Sequence, residues 1–224
     1  MKALPSPPFL TRRAFLATAT GSSVLLANRL FGAPSDTDTK PSPALEKLAA
    51  VALAEARKQG ATYCDIRINR YRQQFSGYRL SPQRGSNQTD EVPFVTDQQS
   101  FGFGVRVIAN GQWGFAASPL VTPEEIARIT REAVLVAKAN SAVQASPVEL
   151  APTKAYPDRW TSPYENEPFA VPVDEKLELM HGATLTIKKD PKVFAAFGFL
   201  AARAEDKYCA SSEGSSIQQS LVQV

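Results

Sequence analysis

Hydrophobic residues recur at three- and four-residue steps in three stretches of the chain, which predicts three amphipathic helices. The first begins after Ser42 and Pro43, a pair typical of a helix start, and ends before Gly60. The second opens with Thr122 and Glu125 at the spacing of a capping box, and the third covers residues 174–189. The positions that we expect to be buried are Leu45, Leu48, Ala52, Leu53 and Ala56, then Ile126, Ile129, Ala133, Val136 and Ala137, and finally Leu177, Met180, Thr184 and Ile187.

A two-residue alternation of hydrophobic and polar positions predicts strands elsewhere. It is present in residues 63–70 and is clearest in residues 101–117, where Asn110 and Gly111 supply the two central residues of a type I′ turn. This second segment therefore predicts a β-hairpin. Further strands are expected at residues 193–204, from 207 to 211 and at 217–224, with a turn at 212–215.

Two polar segments separate these elements. Residues 76–99 are rich in Ser, Gly, Pro, Gln and Asn and are expected to form an exposed loop or insertion with at most one irregular strand. Residues 146–172 contain six prolines and are expected to be irregular. The fold class that follows is α+β, with helices packed on a mostly antiparallel sheet that contains the hairpin, in one domain over residues 44–224.

Gly102 and Gly104 leave one side of the predicted hairpin almost without side chains, so another group can approach its backbone closely. A helix or a neighbouring strand is the ordinary occupant of such a surface, and we favour it. An extended peptide is the functional alternative.

The last segment, residues 217–224, alternates as a strand does and stops without a polar tail or a closing turn. A strand of this kind at the edge of a sheet promotes aggregation unless it is paired. We therefore expect the domain to be truncated at its C-terminal end, as a piece of a larger protein.

The N-terminus has the layout of an export signal. Arg12 and Arg13 directly precede a mildly apolar stretch that is too short to span a bilayer, and residues 1–33 contain no acidic side chain. Paired arginines at this place indicate a twin-arginine signal, with cleavage between residues 27 and 33 or a little beyond. The alternative is a short buried helix with two surface arginines. The signal predicts export to the periplasm, the twin-arginine translocase as a partner, and a linker at residues 34–43.

Charge excludes one class of partner. The whole chain has a net charge of +3, but four of its basic residues lie in residues 1–33, which leaves 21 basic against 22 acidic residues. Binding of nucleic acid needs a basic patch or stripe, and the remaining chain is nearly neutral. We expect no nucleic-acid partner.

The sequence contains no recognisable catalytic or metal motif. His181 is the one histidine, so neither a histidine-based zinc site nor a catalytic histidine with a partner is expected. Cys64 and Cys209 lie far apart in sequence, and we favour two buried thiols over the disulfide that a periplasmic protein permits. No catalytic and no metal-binding residue is assigned, and the only site residues are the targeting pair Arg12 and Arg13.

Three consecutive segments of the chain resemble the N-terminal half of TldD/PmbA-type proteins. They read ATYCDIRINRYRQQ, FGFGVRVIANGQWGFAASPL and TPEEIARITREAVLVAKAN, and the later YCASSEGSSIQQ is similar to the serine-glutamate-glycine turn that precedes the family's C-terminal domain. The most specific stretch is the hairpin. The resemblance covers roughly residues 44–224.

This resemblance implies a zinc metallopeptidase that cleaves peptides or unfolded segments inside a closed dimer. In the family, an H-E-x-x-x-H motif and a later cysteine hold the zinc, and neither can be placed on these residues. The resemblance therefore implies that zinc and catalysis belong to a missing catalytic domain, with peptides as substrates and other family subunits as homo- or hetero-oligomeric partners. The alternatives are a non-catalytic partner or peptide-binding domain of an intact subunit, and an exported α+β domain without enzymatic connection.

Overall fold

The computed structural model describes residues 40–86, 88–143 and 146–224. The predicted signal at residues 1–33, its Arg12 and Arg13, and most of the linker at residues 34–43 lie outside the described residues. Their assignment stays a prediction.

The described residues form three helices and one six-stranded sheet. The sheet has the strand order β3-β2-β1-β5-β6-β4, and all neighbouring strands are antiparallel except β4 and β6. The predicted α+β class with a mostly antiparallel sheet is confirmed. The elements are α1 (Pro43–Lys58), β1 (Tyr63–Pro82), β2 (Thr89–Ala109), β3 (Gln112–Ser118), α2 (Pro123–Asn140), β4 (Pro157–Thr161), α3 (Val173–Lys188), β5 (Ala196–Ser211) and β6 (Ser216–Gln223).

The helices pack on one side of the sheet, which we call the helix face. Even-numbered residues of β1 point to this side, and Ile66 and Ile68 among them are fully buried. These side chains belong to the hydrophobic core that α1 and α2 cover, and their burial stabilises the fold. The opposite side, the open face, carries the odd-numbered residues of β1. The core under α1 and α2 consists mainly of Leu45, Ala52, Ile66, Ile68, Val105, Val107, Ile126, Ala133, Val134 and Tyr208.

The predicted capping box opens α2. The Thr122 hydroxyl accepts a hydrogen bond of 3.2 Å from the backbone N–H of Glu125. The expected stripe is confirmed at Ile126, Ile129, Ala133 and Ala137, but Val136 is 39% exposed. The prediction for Val136 was wrong because the residues of α2 that meet the sheet include Val134, and Val136 lies two positions further around the helix.

Substitution of Thr122 by alanine removes this capping bond. We expect the free energy of unfolding to fall by about 1 kcal/mol, the usual value of such a cap. Ser42 precedes α1 in the same way, but its side chain forms no capping hydrogen bond. Urea denaturation of Ser42→Ala is therefore the matched control, with an expected change below about 0.5 kcal/mol. Equal losses in the two variants would contradict the assigned roles.

The expectation of an exposed loop over residues 76–99 was wrong. β1 and β2 pair without interruption from Tyr63 and Ile108 to Pro82 and Thr89, and β5 pairs with β1 as far as Leu80. The outer half of this three-stranded unit, which we call the arm, is covered on the helix face by α3. Gln74, Ser76 and Leu80 are buried there. The polar residues of this segment do not indicate a strand in the sequence, because the helix that covers them is about a hundred residues away along the chain.

Three smaller expectations also need correction. The two strands expected at residues 193–204 and 207–211 are one strand, β5. The irregular proline-rich segment contains β4, which pairs with β6. As a result β6 lies between β5 and β4 and is paired on both sides, so it is not the unpaired edge that the sequence suggested.

The stripe expected along α3 is only partly present. Thr184 is fully buried against the arm, but Ile187 is 52% exposed, and the side chain that is buried with Thr184 is Lys176. The first and middle turns of α3 therefore contact the sheet, whereas its last turn faces outward. None of the helices in the described ranges is long and apolar enough to cross a membrane.

Candidate functional site

A groove of about 570 Å³ lies on the open face, over the part of the hairpin next to β1. No helix of the described residues packs on this face. The groove is mainly apolar along β2 and β3 and charged along β1. It is lined by Asp65, Arg67, Asn69, Tyr71, Ser100, Phe101, Gly102, Phe103, Gly104, Arg106, Phe115, Ala117, Ser118 and Pro119.

The two glycines singled out in the sequence form the floor of this groove. The ring of Phe115 on β3 lies across Gly104, so that a Cβ atom at Gly104 would be only 2.8 Å from the ring. Phe115 itself remains 58% exposed. The group that covers the glycine backbone is thus the Phe115 side chain of the neighbouring strand. The outer surface of this ring is exposed and can contact a further molecule.

A buried carboxylate fixes the charged side of the groove. Asp65 is 2% exposed and accepts hydrogen bonds from Arg106 Nε at 2.9 Å and from the Tyr63 hydroxyl at 3.0 Å. Arg106 adds a second contact through Nη2 at 2.7 Å, and its guanidinium also lies over the ring of Trp113. The bond to Asp65 raises the pKa of Arg106. The arrangement holds a rigid, half-exposed guanidinium at the groove wall, where it can bind a carboxylate or a backbone carbonyl.

The two cysteines lie on opposite sides of the sheet. Cys64 shares the helix face with Ile66, whereas Cys209 stands opposite Arg67 on the open face. A disulfide between them would have to pass through the sheet, and both thiols are free. Burial, followed by the nearby Asp65 charge, raises the pKa of Cys64 to about 12, and burial also raises the pKa of Cys209. The preferred interpretation of buried thiols is confirmed for Cys64, whereas Cys209 is only partly buried.

The described residues do not fit a zinc centre. They contain no group of three or more His, Cys, Asp or Glu side chains close enough to hold a metal ion. His181 stacks on the Tyr78 ring at 4.4 Å, with Nε2 2.5 Å from a carboxylate oxygen of Glu91. This histidine thus fastens α3 to the outer end of the arm.

Two features of the structure had no signal in the sequence. Alternation placed Asp65 on a wet face, yet its carboxylate is buried because Arg106, 41 residues away, covers it. Lys176 looked like an ordinary charge in the first turn of a helix, yet it lines a second cavity beneath α3. Arg12 and Arg13 lie outside the described residues, so the structure does not test their role.

Comparison with known proteins links this arrangement to one family. The family model for PmbA/TldA metallopeptidase domain 1 matches residues 90–137, which run from the arm through the hairpin into α2. A search of curated proteins gives no match.

Several solved structures share the fold. A candidate modulator of DNA gyrase from Bacteroides thetaiotaomicron superimposes with a TM-score of 0.58 at 14% identity, over 81% of this chain and 39% of its own length. TldE from Thermococcus kodakarensis gives 0.53 at 17% identity, over 79% and 36%. A candidate modulator of a DNA gyrase from Thermotoga maritima gives 0.52 at 17% identity, over 80% and 37%.

The chain thus spans well under half the length of the structures that it resembles. At these identities the structural likeness establishes the fold, and the sequence match lies within that fold, on the hairpin and the helix that follows it. The sequence match over residues 90–137 and the shared fold both support the resemblance of this chain to TldD/PmbA proteins.

Proposed function

We propose that these residues are the N-terminal domain of an exported zinc metallopeptidase of the TldD/PmbA type, which acts on peptides or unfolded segments. The observation that carries the proposal is the match of residues 90–137 to the first domain of the family's metallopeptidases, inside the fold that the solved structures share. In this proposal the zinc and the catalytic residues lie outside this chain, because its described residues do not fit a zinc site.

The open-face groove gives the domain a role in such an enzyme. It presents an exposed aromatic ring, Phe115, beside the fixed guanidinium of Arg106, with the glycine backbone between them. An extended peptide offers apolar side chains and backbone carbonyls, which these groups complement. We therefore propose that the groove contacts either the peptide or another family subunit.

A second candidate function is a non-catalytic partner or peptide-binding domain that assembles with an intact family subunit. It is favoured by the same groove, whose lining residues all come from β1, β2, β3 and Pro119, which follows β3. The two candidates differ in where the zinc is found, and the groove serves in both.

One measurement separates them. We expect an antibody raised against this chain to detect, in the exported fraction of the native host, a zinc-containing polypeptide of more than twice 24.3 kDa, since the chain covers only 36–39% of the related structures. A protein of the present length that co-purifies with a separate zinc-bearing subunit favours the partner role. Peptide cleavage by the isolated chain with one bound zinc would overturn both.

Export itself is tested by replacing Arg12 and Arg13 with lysine, which is expected to retain the protein in the cytoplasm.

The groove is tested by substitution of Phe115. Loss of an exposed aromatic contact at the centre of a binding surface is expected to weaken the binding of a fluorescently labelled, unfolded casein peptide about tenfold, equivalent to about 1.4 kcal/mol. Phe115→Ala is compared with Phe194→Ala, which removes a still more exposed ring, 76% accessible, outside the groove. Unchanged anisotropy titrations for Phe115→Ala, or equal losses in the two variants, would remove the groove from the proposal.

A further inference from the structure

A second cavity, of about 330 Å³, lies on the helix face between α3 and the arm. Its volume is at the lower end of the range found for small-molecule sites. Most of its surface is apolar. The lining residues that matter to the argument are Gln74, Pro168, Lys176, Leu179, Leu200 and Ala202.

The side chain of Lys176 is buried in the wall of this cavity. It is 7% exposed, and its ammonium group donates to the Gln74 side-chain oxygen at 2.6 Å and to the Pro168 carbonyl at 2.5 Å. Both acceptors are neutral and belong to residues that line the same cavity. An ammonium group has three N–H donors, so the third has no partner in the described part of the chain.

The nearby charges do not provide a direct counter-ion for this ammonium group. Asp97 does not contact Lys176 directly: its carboxylate accepts a hydrogen bond of 2.9 Å from the side-chain amide of Gln74. The same carboxylate also accepts hydrogen bonds from two guanidinium nitrogen atoms of Arg72. Glu175 and Val224 also line the cavity, and neither of their carboxylates forms an ion pair with Lys176 within 4.0 Å. A buried cation without a paired anion is costly, and a bound carboxylate relieves that cost.

We propose that this cavity binds a small amphipathic carboxylate. The carboxylate accepts the free N–H of Lys176, and the apolar body of the ligand lies against Leu179, Leu200 and Ala202. Two sources have this chemistry, a free aliphatic carboxylic acid and the C-terminus of a peptide that ends in an apolar residue. The inference is independent of the proposed peptidase function, since it uses the helix face rather than the groove on the open face.

Calorimetric titration of the full chain with octanoate and with octanol tests the charge. Octanoate is expected to bind at least about tenfold more tightly than octanol, because only octanoate pairs with Lys176. Acetyl-dileucine and its C-terminal amide distinguish the sources: tighter binding of the free-acid peptide than of octanoate assigns the site to peptide termini, and the reverse order assigns it to aliphatic acids. Equal affinity for octanoate and octanol, or no binding of any probe, overturns the proposal.

Two variants locate the site. Lys176→Met is expected to weaken octanoate binding about tenfold and to leave octanol binding unchanged. Ala202→Leu fills the cavity and is expected to abolish binding of both probes, whereas Ala201→Leu adds the same volume on the opposite face of β5 and is the control. Thermal unfolding verifies that each variant is folded. Wild-type octanoate affinity in Lys176→Met, or equal effects of the two leucine variants, contradicts the site even if the peptidase proposal holds.

Discussion

Gly114→Ala is expected to lower the free energy of unfolding by about 3 kcal/mol or more, because the added methyl group has no space. A Cβ atom at this position of β3 would lie 2.0 Å from the carbonyl oxygen of Ala133 and 2.5 Å from the backbone nitrogen of Ala137. Both atoms belong to the backbone of α2, so a side-chain rotation cannot remove the clash. The helix would have to move away from the sheet and open the core that it covers.

Gly182→Ala provides the matched control for this experiment. Gly182 lies inside α3, and an added Cβ would meet no atom within 4 Å. The same substitution there is expected to raise the free energy of unfolding by about 0.8 kcal/mol, through the higher helix propensity of alanine. Urea denaturation of both variants measures the difference. If Gly114→Ala remained within about 0.5 kcal/mol of the wild type, the close packing of α2 on β3 would be wrong.

The parts of the fold that the sequence predicted are those encoded by neighbouring residues. Asn110 and Gly111 adopt positive φ angles of 51° and 72°, which is the backbone of the predicted type I′ turn. Thr122 caps α2 through Glu125, three residues further on. In both cases the residues that determine the structure are adjacent in the chain, so their local chemistry is sufficient to predict it.

The arm was missed because its stability depends on partners that are distant in sequence. Gln74 and Ser76 look like loop residues, and they become buried only because β5 pairs with β1 and α3 lies on top. Gln74 is satisfied there by Lys176 on one side and by Asp97 on the other. A polar residue with both partners supplied by the tertiary structure is compatible with a strand interior, and a sequence pattern does not show those partners.

In the candidate site, too, the features set by neighbouring residues were predicted, and those that depend on residues distant in sequence were not. The bare backbone at Gly102 and Gly104 could be read directly from the alternation of the hairpin. The ring of Phe115 that covers it, and the guanidinium of Arg106 that covers Asp65, come from side chains of neighbouring strands. Strand register decides these contacts, and register is fixed by the whole sheet.

Ile66→Ala is expected to cost about 3 kcal/mol of folding free energy. Ile66 is fully buried near the start of β1, within the core that α1 helps to cover, and it stands opposite Val105 on one neighbouring strand and Ala210 on the other. Truncation removes three buried carbon atoms and leaves a cavity between rigid elements. The expected loss is therefore within the range of about 2–5 kcal/mol measured for such substitutions in protein cores.

Ile187→Ala is the control, and it decides between the sequence pattern and the structure. The helical periodicity of α3 predicts that Ile187 is buried with Thr184, which would make this truncation nearly as costly as that of Ile66. In the structure Ile187 is 52% exposed in the outward-facing last turn, and its loss is expected to cost less than about 1 kcal/mol. Urea denaturation of the two variants under the same conditions gives both values. A loss above about 2 kcal/mol for Ile187→Ala would mean that the last turn of α3 is covered in the native protein, by a partner or by a different packing of the helix on the arm.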